Sequence, residues 1–424
     1  MPIDLRFIGV LLFFSPIASG AQTSCTLFVP QYTFDGTELH ENQSVLVLND
    51  TIAAVGDSTA MQVPAGCTVR EYPDGTLLPG MIEGHAHLLL HPYNETPWDE
   101  QVLRESHAER AIRGALHAER TLRAGFTTVR DLGSEGAGYT DVGLKQAIAK
   151  GVITGPRLLV AGKAIVATGS YGPAGFNEQV TVPLGAEEAD GVDELTRVVR
   201  DQIGHGADVI KVYADYRWGP NGTAQPTFTQ RELELMVELA TSSGRPVVAH
   251  AATAEGMRRA TLAGVSTIEH GDGGTPEVFA LMAERGVALC PTLAAGDAIL
   301  QYRGWNKGVD PEPERITQKR SSFAEALNAG VTIVAGGDVG VFPHGDNVRE
   351  LEMMVDYGMR PLDVLRAVTS GNAAIFGLAG RLGRIAPGLL ADLVVVRGNP
   401  LENIGALRKV EAVMLGGKSV GLND

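Results

Sequence analysis

Pro246-Val-Val-Ala-His250 begins a pattern that recurs along most of this chain. A helix-like stretch over 254–263 follows and stops at Gly264. Ser266-Thr-Ile-Glu-His270 comes next, then a second stretch over 276–285 that stops at Gly286, then Val287-Ala-Leu-Cys-Pro-Thr292. The apolar runs have the length of strands, and the stretches between them have the length of helices. Glycine enters the left-handed conformation that ends a helix without the steric penalty other residues meet. Strand, helix and strand in succession form a parallel crossover unit, so the segment predicts a parallel sheet covered by helices.

Upstream, the same runs recur as Thr127-Thr-Val-Arg-Asp131, Arg157-Leu-Leu-Val160 and Asp208-Val-Ile-Lys-Val-Tyr213, with a helix expected over 230–243 before Gly244. Downstream, a helix over 321–329 and Gly330 lead to Val331-Thr-Ile-Val-Ala335. With Thr76-Leu-Leu-Pro-Gly-Met-Ile82 leading in, eight strands result. Eight successive strand–helix units imply an α/β fold, a closed (β/α)8 TIM barrel over residues 76–384.

The two ends read differently. Ser44-Val-Leu-Val-Leu48, Thr51-Ile-Ala-Ala-Val55, Ala391-Asp-Leu-Val-Val-Val396 and Val410-Glu-Ala-Val-Met414 are short strands between turn residues. They predict a small β-sandwich domain built from both chain ends, 22–75 and 385–424. Ahead of it, Arg6 precedes the apolar run Phe7-Ile-Gly-Val-Leu-Leu-Phe-Phe14 and the small residues Ala18-Ser-Gly-Ala21. That is the pattern of a secretory signal peptide over 1–21, cleaved near Gly20 or Ala21. Ser15-Pro16 interrupts it before the roughly 20 apolar residues that a membrane anchor needs. The mature protein is expected outside the cytoplasm, periplasmic or extracellular, with no membrane attachment. Cys25 and Cys67 then meet conditions in which they can pair, and spacing leaves that open; Cys290, in Gly286-Val-Ala-Leu-Cys290, reads as a buried thiol.

A hydrophobic share of 44% with 20% charged residues marks an ordinary globular chain and excludes a disordered or fibrous one. The net charge of −15 repels polyanions, so neither nucleic acid nor an anionic membrane surface is an expected partner.

In a barrel of this kind the chemistry stands at the C-terminal ends of the strands. The first strand ends in Glu83-Gly-His85-Ala-His87, and residues two apart on a strand face the same way. The fourth carries Lys211, the fifth ends at His250, the sixth at His270 and the eighth at Asp338. Four of the ten histidines thus fall at strand ends, which favours a shared site over scatter. Taken singly, each position has a structural alternative. His250 fits a core histidine, Lys211 a paired lysine, and Asp338, after Gly336-Gly337, a turn or capping residue. The joint order of His-x-His, Lys, His, His and Asp favours a metal centre.

That order resembles the amidohydrolase superfamily in its two-metal subtype, over essentially the whole mature chain. Leu78-Pro-Gly-Met-Ile-Glu-Gly-His-Ala-His87, Ala335-Gly-Gly-Asp338, Gly371-Asn-Ala-Ala374 and Gly388-Leu-Leu-Ala-Asp392 carry the same resemblance. Among the branches it looks most like the imidazolonepropionase-like group, which contains Xaa-Pro dipeptidases and ochratoxin-hydrolysing enzymes. The resemblance implies two divalent metal ions of the zinc kind. His85, His87 and Asp338 would hold one, His250 and His270 the other, and Lys211 would bridge them as a carbamate formed with carbon dioxide. The chemistry is consistent with this. Neutral imidazole and carboxylate suit zinc, whereas an ammonium repels cations unless it is converted to an anion. A water shared by two such ions loses a proton near neutral pH, and the hydroxide attacks an amide carbonyl. Asp338 would accept the water proton and pass it to the leaving nitrogen, which makes Asp338 and Lys211 the expected catalytic residues. A mononuclear deaminase-like site lacks the lysine of strand four, so Lys211 argues against it. Relatives of this type commonly assemble, so a homo-oligomer is expected.

The substrate is less legible. A small molecule or dipeptide with a free carboxylate needs a cation or donors to recognise it. Tyr213 shares the facing of Lys211, and Tyr216, Arg217 and His344 lie on neighbouring loops. Relatives often carry Thr-Gly-Gly-His-Gly after strand three, where this chain has Thr168-Gly-Ser-Tyr171-Gly172; Tyr171 keeps a donor but alters reach and charge. Tyr213, Tyr171 and His344 are therefore the substrate-binding candidates. The leading expectation is hydrolysis of an amide next to a C-terminal amino acid, in dipeptides such as Xaa-Pro, N-acyl amino acids or ochratoxin-like amides. One alternative is an imidazolonepropionase-like ring-opening cyclic amidase, a cytoplasmic role at odds with a signal peptide. Another is a non-catalytic assembly protein on the same fold, which predicts missing ligands where none is missing.

Overall fold

The computed structural model describes residues 24–422, so the expected signal segment, 1–21, lies outside the described residues. Met81–Ala86, Phe126–Asp131 and Arg157–Val160 form a parallel three-stranded sheet. Glu187–Glu188, Ile165–Val166, Ile210–Tyr213, Val247–Ala251, Thr267–His270 and Ala288–Cys290 form a parallel six-stranded one in that spatial order. Backbone bonds join both seams. At one, Asp208 N donates to Val160 O at 2.8 Å. At the other, Leu289 N donates to Thr332 O at 2.9 Å and Val334 N to Leu289 O at 2.8 Å. From there Gly84 N donates to Ala335 O at 2.9 Å and Asp338 N to His85 O at 2.8 Å. The circuit of strands is continuous, as a (β/α)8 arrangement requires.

Helices Ala254–Ala263 and Pro276–Arg285 keep their expected bounds and stop at Gly264 (φ +90°) and Gly286 (φ +67°). Thr253 and Thr275 cap their N-termini by accepting from Gly256 N and Val278 N. The last helix before the eighth strand starts earlier than expected, at Glu314–Asn328, because its first turns are mostly polar and only Ile316 anchors them. Residues 331–335 form no regular strand; Ile333 bridges Leu289 and nothing more regular follows. Gly336 explains this. A Cβ there would stand 2.5 Å from His85 N, so bare backbone lies directly against the first strand.

The chain ends build one eight-stranded sheet. Its order is Lys418–Val420, Val410–Leu415, Leu393–Arg397, Thr68–Pro79, Cys25–Phe34, Ser44–Leu48 and Thr51–Gly56, with Leu39–Glu41 beside Cys25–Phe34. The edge strand Thr51–Gly56 bonds back to the chain entering Leu393–Arg397: Ile52 N donates to Leu389 O at 2.9 Å and Ala391 N to Asp50 O at 2.7 Å. The sheet thereby rolls over one apolar face, where Phe28, Val45, Leu77, Val395 and Met414 form a core of their own. The alternate residues Leu78, Val394 and Val396 join the main core. The two-layered packing expected of a sandwich thus arises from one bonded sheet. Thr68–Pro79 runs past the expected boundary at residue 75. The chain turns into the barrel at Gly80, where a Cβ would meet the Thr127 side chain at 2.1 Å. Cys25 and Cys67 are disulfide-bonded, and Cys290 is buried and free. Among the described residues no helix is long and apolar enough to cross a membrane.

Candidate active site

The strand ends open into a cavity of about 790 Å³, and His85, His87, His250, His270 and Asp338 all line it. Lys211 sits behind this lining, 1% exposed, with its Nζ 5.6 Å from the Tyr213 ring centre. Donor atoms of His85, His270 and Asp338 lie within 4.8 Å of one another. The ring centres of His85 and His87 are 5.3 Å apart, those of His85 and His270 5.3 Å, and those of His250 and His270 4.4 Å. The residues that the sequence scatters over more than 250 positions therefore meet at one floor.

Strand parity brings most of them in. His85 and His87 share the inward facing of Glu83, and Lys211 that of Tyr213. His270 breaks the rule. Thr267 and Glu269 face the barrel interior, so the next residue would face outward, but a φ of +77° turns His270 back to the cavity. Asp338 (φ +61°), Thr292 (φ +49°) and Glu135 (φ +48°) are left-handed as well. Such conformations cost a non-glycine residue roughly 1–3 kcal/mol each, and they gather where side chains must be aimed.

One nitrogen of His85, of His87 and of His270 is committed, leaving the other for a ligand. His85 Nδ1 donates to Glu269 Oε2 at 2.8 Å, His87 Nδ1 to Gly133 O at 2.9 Å, and His270 Nδ1 faces Thr292 Oγ1 at 2.8 Å. The Nε2 atoms of His87 and His85 then face Asp338 Oδ1 at 3.3 and 3.7 Å. Burial, with the Lys211 ammonium adding to it, pushes the His85 imidazole down to about 4 and that of His250 to about 3. Burial and the neighbouring His250 hold His270 well below its usual range. Neutral imidazoles are what a metal requires. Burial alone would lower His87 too, but the carboxylates of Asp338, Glu135 and Asp131 bring it up to about 9. Burial raises the Asp338 carboxyl, and the imidazoles of His85 and His87 outweigh that, bringing it down to about 2. Desolvation lowers the Lys211 ammonium and so favours its neutral amine. The donor set fits a metal centre.

Residues 76–420 match the Amidohydrolase family. The chain belongs to the amidohydrolase family. An ochratoxinase from Aspergillus niger is 30% identical over 94% of this chain and 86% of its own length. A solved Xaa-Pro dipeptidase with methionine bound in its active site matches at a TM-score of 0.82 with 30% identity, covering 94% of this chain and 100% of that one. A prolidase complexed with N-methylphosphonate-L-proline matches at 0.80 with 29% identity, covering 94% and 99%. This amidohydrolase is accordingly a hydrolase of amide C–N bonds, on a TIM barrel with a second domain.

Of the substrate candidates, Tyr213 and Tyr171 line the cavity, as do Tyr216 and Arg217. Tyr213 stacks on His250 with ring centres 4.5 Å apart, and Tyr171 packs 4.8 Å from Tyr213. His344 is corrected by the structure. It lies buried behind the cavity wall, its Nε2 on Leu90 O at 3.0 Å and its ring stacked on His117 at 4.2 Å. Its loop turns inward against the helix His107–Arg123, a direction that loop sequence does not announce. Several residues that position the ligands escaped the sequence reading. Glu269 was detectable as an acid inside an apolar strand. Arg130, which donates to Glu269 Oε1 at 2.9 Å, was detectable in the same way. Glu135, Thr292 and Lys319, which donates to His270 O at 2.6 Å, carry no such signal.

Proposed function

We propose that this amidohydrolase is a two-metal enzyme that cleaves the amide bond next to a C-terminal amino acid. Dipeptides such as Xaa-Pro, N-acyl amino acids and ochratoxin-like amides make up the substrate class. The observation that carries the proposal is the convergence of His85, His87, His250, His270 and Asp338 on one cavity floor with the buried Lys211 behind them. His85, His87 and Asp338 would hold one cation, His250 and His270 the other, and carboxylated Lys211 would bridge them. When bound, zinc-class ions supply Lewis acidity and an activated water.

The chain's own residues do the rest. Desolvation lowers the Lys211 ammonium and so favours the neutral amine, the form that adds to carbon dioxide with loss of a proton. Asp338 Oδ1, ionised at neutral pH, accepts the proton of the nucleophile and returns it to the leaving nitrogen. Glu269 and Gly133 O fix the His85 and His87 rings. Arg217 and Arg303 line the cavity and have no ion pair among the described residues, so either can meet a C-terminal carboxylate. The activities that name the relatives, ochratoxinase, Xaa-Pro dipeptidase and prolidase, support the substrate class. A disulfide between Cys25 and Cys67 supports export to an oxidising compartment. A homo-oligomer is part of the same proposal, tested by sedimentation.

Metal analysis of the purified protein decides the centre. Two zinc-class ions per chain are expected, and fewer than one would sink the two-metal reading. Lys211→Ala is expected to lose metal and activity together; retention of both ions and full rate would remove the carbamate. A panel of Xaa-Pro, Xaa-Phe and N-acyl amino acids tests the substrate class, and turnover of none of them would exclude it.

A further inference from the structure

We infer that Glu135 determines specificity by taking the free ammonium of an unblocked aminoacyl group, so that dipeptides are preferred over N-acylated amino acids. The inference rests on the proposed amide hydrolysis and narrows its substrate class.

Four carboxylates line the cavity: Glu135, Asp215, Asp272 and Asp338. Three are already engaged. Asp215 accepts from Ala252 N, Thr253 N and Thr253 Oγ1. Asp272 is paired with Lys319 and, at 3.8 Å, with Arg315. Asp338 faces the ligand imidazoles. Glu135 is engaged on one side only. Its Oε2 accepts from Trp98 Nε1 at 2.9 Å and from Tyr171 Oη at 2.8 Å, while Oε1 accepts no hydrogen bond among the described residues. His87 Nδ1 is 3.9 Å from Oε1, but its proton goes to Gly133 O.

The side chain is also fixed in place. Glu135 is 3% exposed, and the buried Arg110 donates to its main-chain oxygen at 2.6 Å and to Ser134 O at 3.1 Å. Glu135 Oε1 opens on the cavity with no protein donor among the described residues, and a cationic ligand group there satisfies the charge as well as the lone pairs. An ammonium offers three donors and fits that need. The location is also right, because Glu135 adjoins His87 and the amine of an aminoacyl group is carried on the carbon beside the scissile carbonyl. An acylated nitrogen would bring no charge and would leave the carboxylate unpaired.

Binding is the readout, so turnover is not required. Phosphonyl analogues of Ala-Pro, one with a free amine and one N-acetylated, are titrated calorimetrically into the metal-loaded wild-type enzyme, Glu135→Gln and Glu135→Asp. The free-amine analogue is expected to bind wild type about 30-fold tighter than the acetylated one. In Glu135→Gln that ratio falls to about threefold through weakening of the free-amine analogue alone, and Glu135→Asp, which keeps the charge, recovers part of it. Equal weakening of both analogues would assign Glu135 to the support of His87 and overturn the inference. Equal binding of both to wild type would overturn it too and leave amide hydrolysis standing. Binding of neither would remove the proposed dipeptide and N-acyl amino acid class, and the inference with it.

Discussion

Glu269 is buried, receives the His85 Nδ1 proton at 2.8 Å on one oxygen and the Arg130 guanidinium at 2.9 Å on the other. Burial works against its charge, and Arg130 with His85 overrides that, so the carboxylate stays ionised. A carboxylate behind a ligand imidazole sets its tautomer and angle and raises its basicity. Glu269→Gln keeps the shape but loses the charge, and is expected to weaken cation binding about 10–100-fold in competition with a chelator. Unchanged affinity would mean that barrel packing alone orients His85. Single residues also show where sequence is legible. Strand parity alone predicts that His85 shares the facing of His87 and Lys211 that of Tyr213. His270 and Asp338 reach the cavity through left-handed backbone, so their place in the order marks them while their spacing does not. Glu135 and Thr292 depend on loop conformation, which no local pattern encodes.

Among the elements, the helix His107–Arg123 tests how burial acts away from the site. It packs His117 against His344, with ring centres 4.2 Å apart, and His117 Nδ1 donates to Leu88 O at 2.8 Å. Burial pushes the His117 imidazole down to about 4; Leu88 O opposes this, and Arg120, His91 and Arg113 add to it. An unfolded imidazole takes its proton near pH 6.5, so the folded chain holds fewer protons below that. The stability contribution is therefore complete above pH 6.5 and is lost as pH falls toward 4, by up to about 1.4 kcal/mol per pH unit. His117→Gln keeps a donor for Leu88 O and cannot be protonated. Its unfolding free energy, measured in denaturant, should lie below that of wild type at pH 7 and approach it at pH 5. A difference that stays constant with pH would show that His117 is protonated inside the fold. The helices 254–263 and 276–285 and the barrel strands before the eighth follow from the sequence pattern, whereas the eighth strand does not form as expected. Gly336 and Gly337 read as a turn, yet the missing side chain of Gly336 is what lets the chain press against Gly84 and His85, and that of Gly337 makes room for Phe342. Close backbone approach has no signature beyond the glycines themselves.

The whole molecule joins barrel and terminal sheet through shared residues. On Leu393–Arg397, Val394 and Val396 belong to the main core while Val395 belongs to the sheet's own. Arg157, on a barrel strand, donates to both oxygens of Asp392 at 2.7 and 3.1 Å, and Asp392 O accepts from Gly80 N at 2.7 Å. Strands that contribute one face to each core cannot lose one core and keep the other, so the two parts should unfold together. The disulfide Cys25–Cys67 lies wholly within the terminal sheet region and spans 42 residues. Loop-closure entropy for that span is worth about 4 kcal/mol to the folded state. If the parts are coupled, a Cys25→Ser, Cys67→Ser protein should lower the unfolding midpoint of the barrel as well as that of the sheet. Calorimetry should then show one transition displaced downward by several degrees, with activity lost over the same range. A new low-temperature transition, with the main one and the activity unmoved, would show that the sheet melts alone and that Val394, Val396 and Asp392 do not couple it to the barrel.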